Sequence, residues 1–136
     1  MPEITVTNTR RRQYKDISLT FARNPVTHDV VAVSDTDAVK RALKVLLMSR
    51  AGETPFFPNF GSRLHTLLFE PIDPITTVLL QHEIGDTITA FEPRVNIEEL
   101  SVVPTSDELG YDVNILFSIA NQTQPITLTV YLTRLR

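Results

Sequence analysis

The chain has no cysteine, no tryptophan and only four glycines in 136 residues. Without cysteine there can be no disulfide, no thiolate metal site and no cysteine nucleophile. The glycines stand at 52, 61, 85 and 110, too scattered for a phosphate-cradling loop. His28, His65 and His82 share no metal-ligand spacing, and His82-Glu83 lacks the second histidine of a zinc-protease helix. No serine sits in a nucleophile elbow. No apolar run approaches the ~18 residues of a membrane span, and Met1 to Tyr14 lacks the apolar core of a signal peptide. Positive charge is not in excess either; a net charge of −3 offers nucleic acid no general field. The expectations are therefore no cofactor, no metal, no nucleic acid and no membrane, in a protein made in a cytosol or carried in a particle assembled there.

What is present is an ordinary globular composition, 42% hydrophobic and 21% charged. A chain of this length can bury a core without a staple. One domain over 1–136 follows, with 1–15 as a flexible basic arm carrying Arg10, Arg11, Arg12 and Lys15. Such an arm is simply solvated, or it is a nucleic-acid or partner contact.

Ile17, Leu19 and Phe21 alternate with polar or small residues, predicting a half-buried strand. Val30 to Val33 predicts a second strand, pairing with the first as a hairpin. Ser34-Asp35-Thr36-Asp37 predicts a helix start, with Ser34 as cap and Asp37 three residues on. That helix runs through Val39, Leu43, Leu46, Leu47 and Arg50, with Gly52 as the residue beyond its end. Glu53 to Gly61 holds three phenylalanines among prolines, which predicts an ordered loop. Its aromatics form a lid on the core or, alternatively, a protein-docking surface. A short helix follows over Ser62 to Phe69. Asp73-Pro74 then opens a long one, with Asp73 at the cap and Pro74 in the first turn. Ile75, Val78, Leu79 and His82 line one stripe of it; Leu80, Ile84, Ile88 and Phe91 line another. Two apolar stripes predict a helix sandwiched between other elements.

Pro93 ends that helix, because a proline inside it would cost about 3 kcal/mol and it drives Glu92 out of the α region. If the corner is extended, Glu92 and Arg94 point to one side, as a surface ion pair or as a contact. Beyond it the period is two. Val95 and Ile97 alternate, then Leu100 and Val102 in the opposite phase, so a bulge belongs near Glu98-Glu99. Tyr111 to Ile119 and Ile126 to Leu132 alternate cleanly. The fold class is α+β: an antiparallel three-stranded C-terminal meander packed against two main helices, with an N-terminal strand or hairpin. The last strand belongs at or near a sheet edge. Its outward residues Thr127, Thr129, Tyr131 and Thr133 include no carboxylate to deter pairing. The alternative is an edge covered by the chain's own strand around Leu19. Glu70, Asp73, Glu83 and Glu92 supply carboxylates, but none has a context suited to glycoside hydrolysis.

Five segments carry a family resemblance: Asp37-Ala38-Val39-Lys40, Leu46 to Glu53, Pro58-Asn59-Phe60-Gly61-Ser62, Leu67-Leu68-Phe69-Glu70-Pro71 and Glu92-Pro93-Arg94. Together they resemble the baseplate wedge proteins of contractile phage tails. That family is related to the baseplate component of type VI secretion and is often labelled lysozyme-like. The resemblance spans Ile17 to Leu132 and leaves the basic arm outside. It implies a non-enzymatic sheath initiator, six copies per baseplate, in the tail baseplate of a virion. The partners it implies are other wedge proteins, the tail sheath protein, and tail tube or hub proteins. It makes Glu92, Pro93 and Arg94 contacts to neighbouring wedge proteins. It suggests that a sheath arm adds to a sheet edge by β-augmentation, and Thr127, Thr129 and Tyr131 of the last strand are the edge expected to receive it. The competing readings are a peptidoglycan-degrading lysozyme-like enzyme and a component of a bacterial type VI secretion system.

Overall fold

The structure, a computed structural model, describes residues 15–134 except 19, 108, 121 and 123, and the side chains of all of these but 16 and 32–34. Its elements run β1 (Lys15–Ile17), β2 (Ala32–Ser34), α1 (Thr36–Met48), α2 (Leu64–Leu67), α3 (Pro74–Phe91), β3 (Val95–Pro104), β4 (Gly110–Ile119) and β5 (Ile126–Thr133). β3, β4 and β5 form an antiparallel meander in that order. The expected α+β layout is therefore present. Tyr111, Val113, Ile115, Phe117 and Ile119 of β4 are all buried, because the central strand alternates strictly and has helices over one face. They pack with Val39, Leu43 and Leu47 of α1 and Leu80, Ile84 and Ile88 of α3 in one apolar cluster. The bulge falls where the phase flips: Ile97 pairs with Phe117 and Glu99 with Leu116, leaving Glu98 extra. Gly110 starts β4 where a Cβ would come within 2.3 Å of the Leu132 carbonyl oxygen, so no larger residue fits.

Several expectations need correction. β1 and β2 do pair, with Lys15 opposite Ser34, so Lys15 belongs to a strand and not to the arm. The half-buried strand through Phe21 does not form. β1 stops at Ile17, Phe21 takes a positive φ of 49°, and both side chains are exposed. Leu19 and Arg10 to Arg12 lie outside the described residues. Ser34 does not cap α1, because strand pairing claims it; Asp35 stands at the cap and makes no side-chain cap bond. α1 ends at Met48, not Arg50. Ser49 turns extended and pairs with Ser62, whose N–H donates to its carbonyl at 2.9 Å. Gly52 is thus displaced into the next turn, at φ +90°, where its N–H donates to the Pro58 carbonyl.

α3 starts as expected, with Asp73 accepting from the Thr76 N–H at 2.6 Å and Pro74 in the first turn. It is not sandwiched. Leu80, Ile84 and Ile88 are fully buried, but Ile75, Val78, Leu79 and His82 face outward. The meander covers one face of α3, and α1 and α2 cover too little of the rest. No helix among the described residues is long and apolar enough to cross a membrane.

Candidate partner-binding site

Three features present chemistry to the outside. The first is the corner after α3. The Phe91-Glu92 step leaves the helix, with the Glu92 N–H still donating to the Ile88 carbonyl and the Val95 N–H donating to that of Glu92. This brings Glu92 and Arg94 together, but through a turn at Pro93-Arg94 and not through the extended chain expected. Arg94 Nε and Nη2 donate to Glu92 Oε1 and Oε2, both at 2.5 Å. The surface-pair expectation is wrong for one partner. The Glu92 side chain is only 8% exposed, against 30% for Arg94. Glu92 therefore acts as an inner clamp that fixes the plane of a half-buried guanidinium. Both of its oxygens are engaged by arginine, which suits a structural anchor. Pro93, between them, is exposed.

The second feature is the loop from Glu53 to Gly61. The lid reading fails for two of its three aromatics. Phe56 is 96% exposed and Phe57 is 70% exposed; only Phe60 turns inward, meeting Phe91 edge-on at 5.5 Å between ring centroids. The loop is nonetheless held. Gly61 lies at φ +110°, with Ser49 and Arg50 backbone so close that a Cβ would clash at 2.7 Å. Phe56 itself sits at φ +70°, a conformation unusual for a bulky residue. Two phenyl rings are thus displayed to solvent on a tied backbone.

The third feature is the far side of β5. The Thr105 N–H donates to the Gly110 carbonyl at 3.0 Å, and the Arg134 N–H to that of Leu109 at 2.8 Å. Antiparallel ladders alternate, so these two bonds fix the phase. Leu128, Val130 and Leu132 direct their backbone groups to β4. Thr127, Thr129 and Tyr131 direct theirs to the open edge. Among the described residues no strand pairs with that edge, and β1 pairs with β2 instead. The opposite edge, on β3, is obstructed. The same phase points the Leu100 carbonyl outward, and Gln81 of α3 donates to it at 2.8 Å. The bulge, Glu98, Glu99 and the terminal Pro104 add further obstacles. No sequence signal marked Gln81 for this part; only the helix-to-sheet packing does. Among the described residues no group of His, Asp or Glu could hold a metal ion.

Residues 33–124 match the family model described as baseplate wedge protein gp25. The chain belongs to the gp25 baseplate wedge family. The gp25 baseplate wedge protein of Enterobacteria phage T4 is 30% identical over 89 residues, which are 65% of this chain and 67% of that protein. Two solved structures share the fold. A Geobacter sulfurreducens protein named as a tail lysozyme superposes with a TM-score of 0.72 at 20% identity, covering 78% of this chain and 96% of its own. A chain from the six-fold symmetrised baseplate of the anti-feeding prophage gives a TM-score of 0.71 at 23% identity, covering 82% and 90%. As a member of the gp25 family, the protein is a structural component of a contractile-tail baseplate in the virion. The family match runs through all of α1, α3, β3 and β4 and stops before β5.

Proposed function

We propose that this gp25-family protein is a non-enzymatic assembly module that docks to neighbouring wedge proteins and starts the tail sheath on the β5 edge. The observation that carries the reading is the inequality of the two sheet edges. A soluble sheet normally guards both, with charge, bulges or side-chain cover. Among the described residues β3 has all three and β5 has none, while Thr127, Thr129 and Tyr131 aim backbone donors and acceptors outward. An extended arm of a sheath subunit would add there, recognised through main-chain bonds that any sequence can make. Tail tube or hub proteins would lie beyond it. Six copies per baseplate suit the six-fold symmetry of the anti-feeding prophage relative. Glu92, Pro93 and Arg94 form the corner that grips a wedge neighbour, with Glu92 orienting the guanidinium.

Thr129→Pro tests the edge. It removes a donor that faces away from β4, so the meander keeps its own ladder. The folded variant is expected to enter the baseplate and fail to start a sheath. Normal sheath growth on that baseplate would remove β5 as the template. The lysozyme reading has the name of the Geobacter relative in its favour. A turbidity assay on cell walls separates the two: no clearing is expected, and clearing lost in Glu92→Gln would make the protein an enzyme.

A further inference from the structure

Beside the open edge lies a cleft of about 270 Å³ between the end of α1, α2 and the last residues of β5. Leu47, Met48, Leu64, Leu68, Tyr131 and Leu132 supply its apolar lining. Met48 is 61% exposed although apolar, so this side of the cleft lacks cover among the described residues. Arg50 is the charged group on its lining; His65 also lines it, and no carboxylate does.

A strand added to β5 would run about 4.8 Å from it, and its side chains would alternate between the outer face and the helix face. The helix-face side chain level with Tyr131 to Thr133 would arrive at this cleft. We infer that the cleft is the specificity pocket of the β5 edge, taking one bulky apolar side chain of an extended segment from another chain, with an acidic side chain of that segment beside Arg50. The inference rests on the reading of β5 as a docking edge. Three features select this occupant over a helix or a small apolar molecule. The outward backbone groups of Thr127, Thr129 and Tyr131 need a strand to satisfy them. The cleft is continuous with that edge, through Tyr131 and Leu132. The guanidinium of Arg50, on a lining that carries no carboxylate, complements an acidic group. Main-chain bonds hold any strand, and the cleft chooses which one and in which register.

The test uses the isotope-labelled full chain and a short synthetic peptide that alternates threonine with valine. The peptide carries one central leucine, with glutamate two residues on. Amide signals of Thr127, Thr129 and Tyr131 should move together with the side-chain signals of Met48 and Leu64. Replacing the peptide leucine by alanine should weaken binding about tenfold or more. Met48→Trp, at an exposed position, should weaken the leucine peptide and leave the alanine peptide unchanged. Replacing the peptide glutamate by glutamine should cost about two- to fivefold, an effect absent in Arg50→Gln. Edge amides that move while the cleft stays silent, with leucine and alanine peptides bound equally, would overturn the pocket and leave the edge reading standing. Cleft signals that move equally in Thr129→Pro would detach the cleft from the edge and also overturn the inference. A peptide that moves neither set would overturn the edge reading itself, and the pocket with it.

Discussion

Arg94 holds a buried carboxylate with two of its donors, and this sets what its replacement does. Arg94→Ala strands Glu92 in a nearly closed site, at about 3 kcal/mol, the low end for a broken buried pair because Arg94 itself is partly solvated. Arg94→Lys keeps the charge but cannot make the paired bonds, so a loss of about 1.5–3 kcal/mol is expected. Urea unfolding of both variants checks this. Equal stability to the parent would mean that the clamp is dispensable. Phe56 and Phe57 behave oppositely. Phe57→Ser should leave the melting temperature unchanged, since the ring has little to lose. Phe60→Ala should lower it, because the contact with Phe91 alone contributes about 0.5–1.5 kcal/mol beyond burial. Sequence could bring Glu92 and Arg94 to one side by the period of an extended chain, although a turn at Pro93-Arg94 is what joins them. It could not tell that one would be buried, because that depends on how the corner sits against the rest of the fold.

α3 is the element that most clearly separates what local chemistry fixes from what packing decides. Its cap was legible, because Asp73-Pro74 satisfies an orphan N–H and presets the first turn. Its stop was legible at Pro93. β4 and β5 were legible from strict alternation, and the bulge from a flip of phase. Which stripe of α3 would be buried was not legible, since Ile75-Val78-Leu79 and Leu80-Ile84-Ile88 are both apolar at helical spacing. The aromatic loop misled for a related reason. Composition favours burial of phenylalanine, but the close approach at Gly61 fixes a backbone course that aims Phe56 and Phe57 outward. Two measurements belong to α3. Gly85 has only ordinary contact for an added Cβ, 3.8 Å from Leu100, so Gly85→Ala should stabilise by about 0.5–1 kcal/mol in denaturant unfolding. Asp73 has its carboxyl held below the usual range, chiefly by the Thr76 N–H. Its contribution is therefore present above the ordinary carboxylate range and lost as pH falls through the lowered value. Acid unfolding of Asp73→Asn should show a shallower loss of stability across that interval than the parent.

For the whole molecule, the sheet has one obstructed side, at β3, and one that no described strand covers, at β5. Other apolar exposure lies away from that edge, including Ile75 and Val78 on α3 and Phe56 and Phe57 on the loop. An edge open to strangers is also open to copies of itself, which is the usual hazard of an unguarded strand. The arithmetic of ends limits that hazard here. Two molecules meeting β5 to β5 would use up both open sides and leave a joined sheet ending in obstructed β3 strands. Such an association terminates itself: it closes at a pair and has no route to a fibre through the sheet. Sedimentation of the purified chain over a wide concentration range should therefore reveal monomer and at most dimer, and Thr129→Pro should remove the dimer. The inequality of two strands thus serves as a stop rule, letting the molecule keep a sticky side in storage without polymerising before its partner arrives.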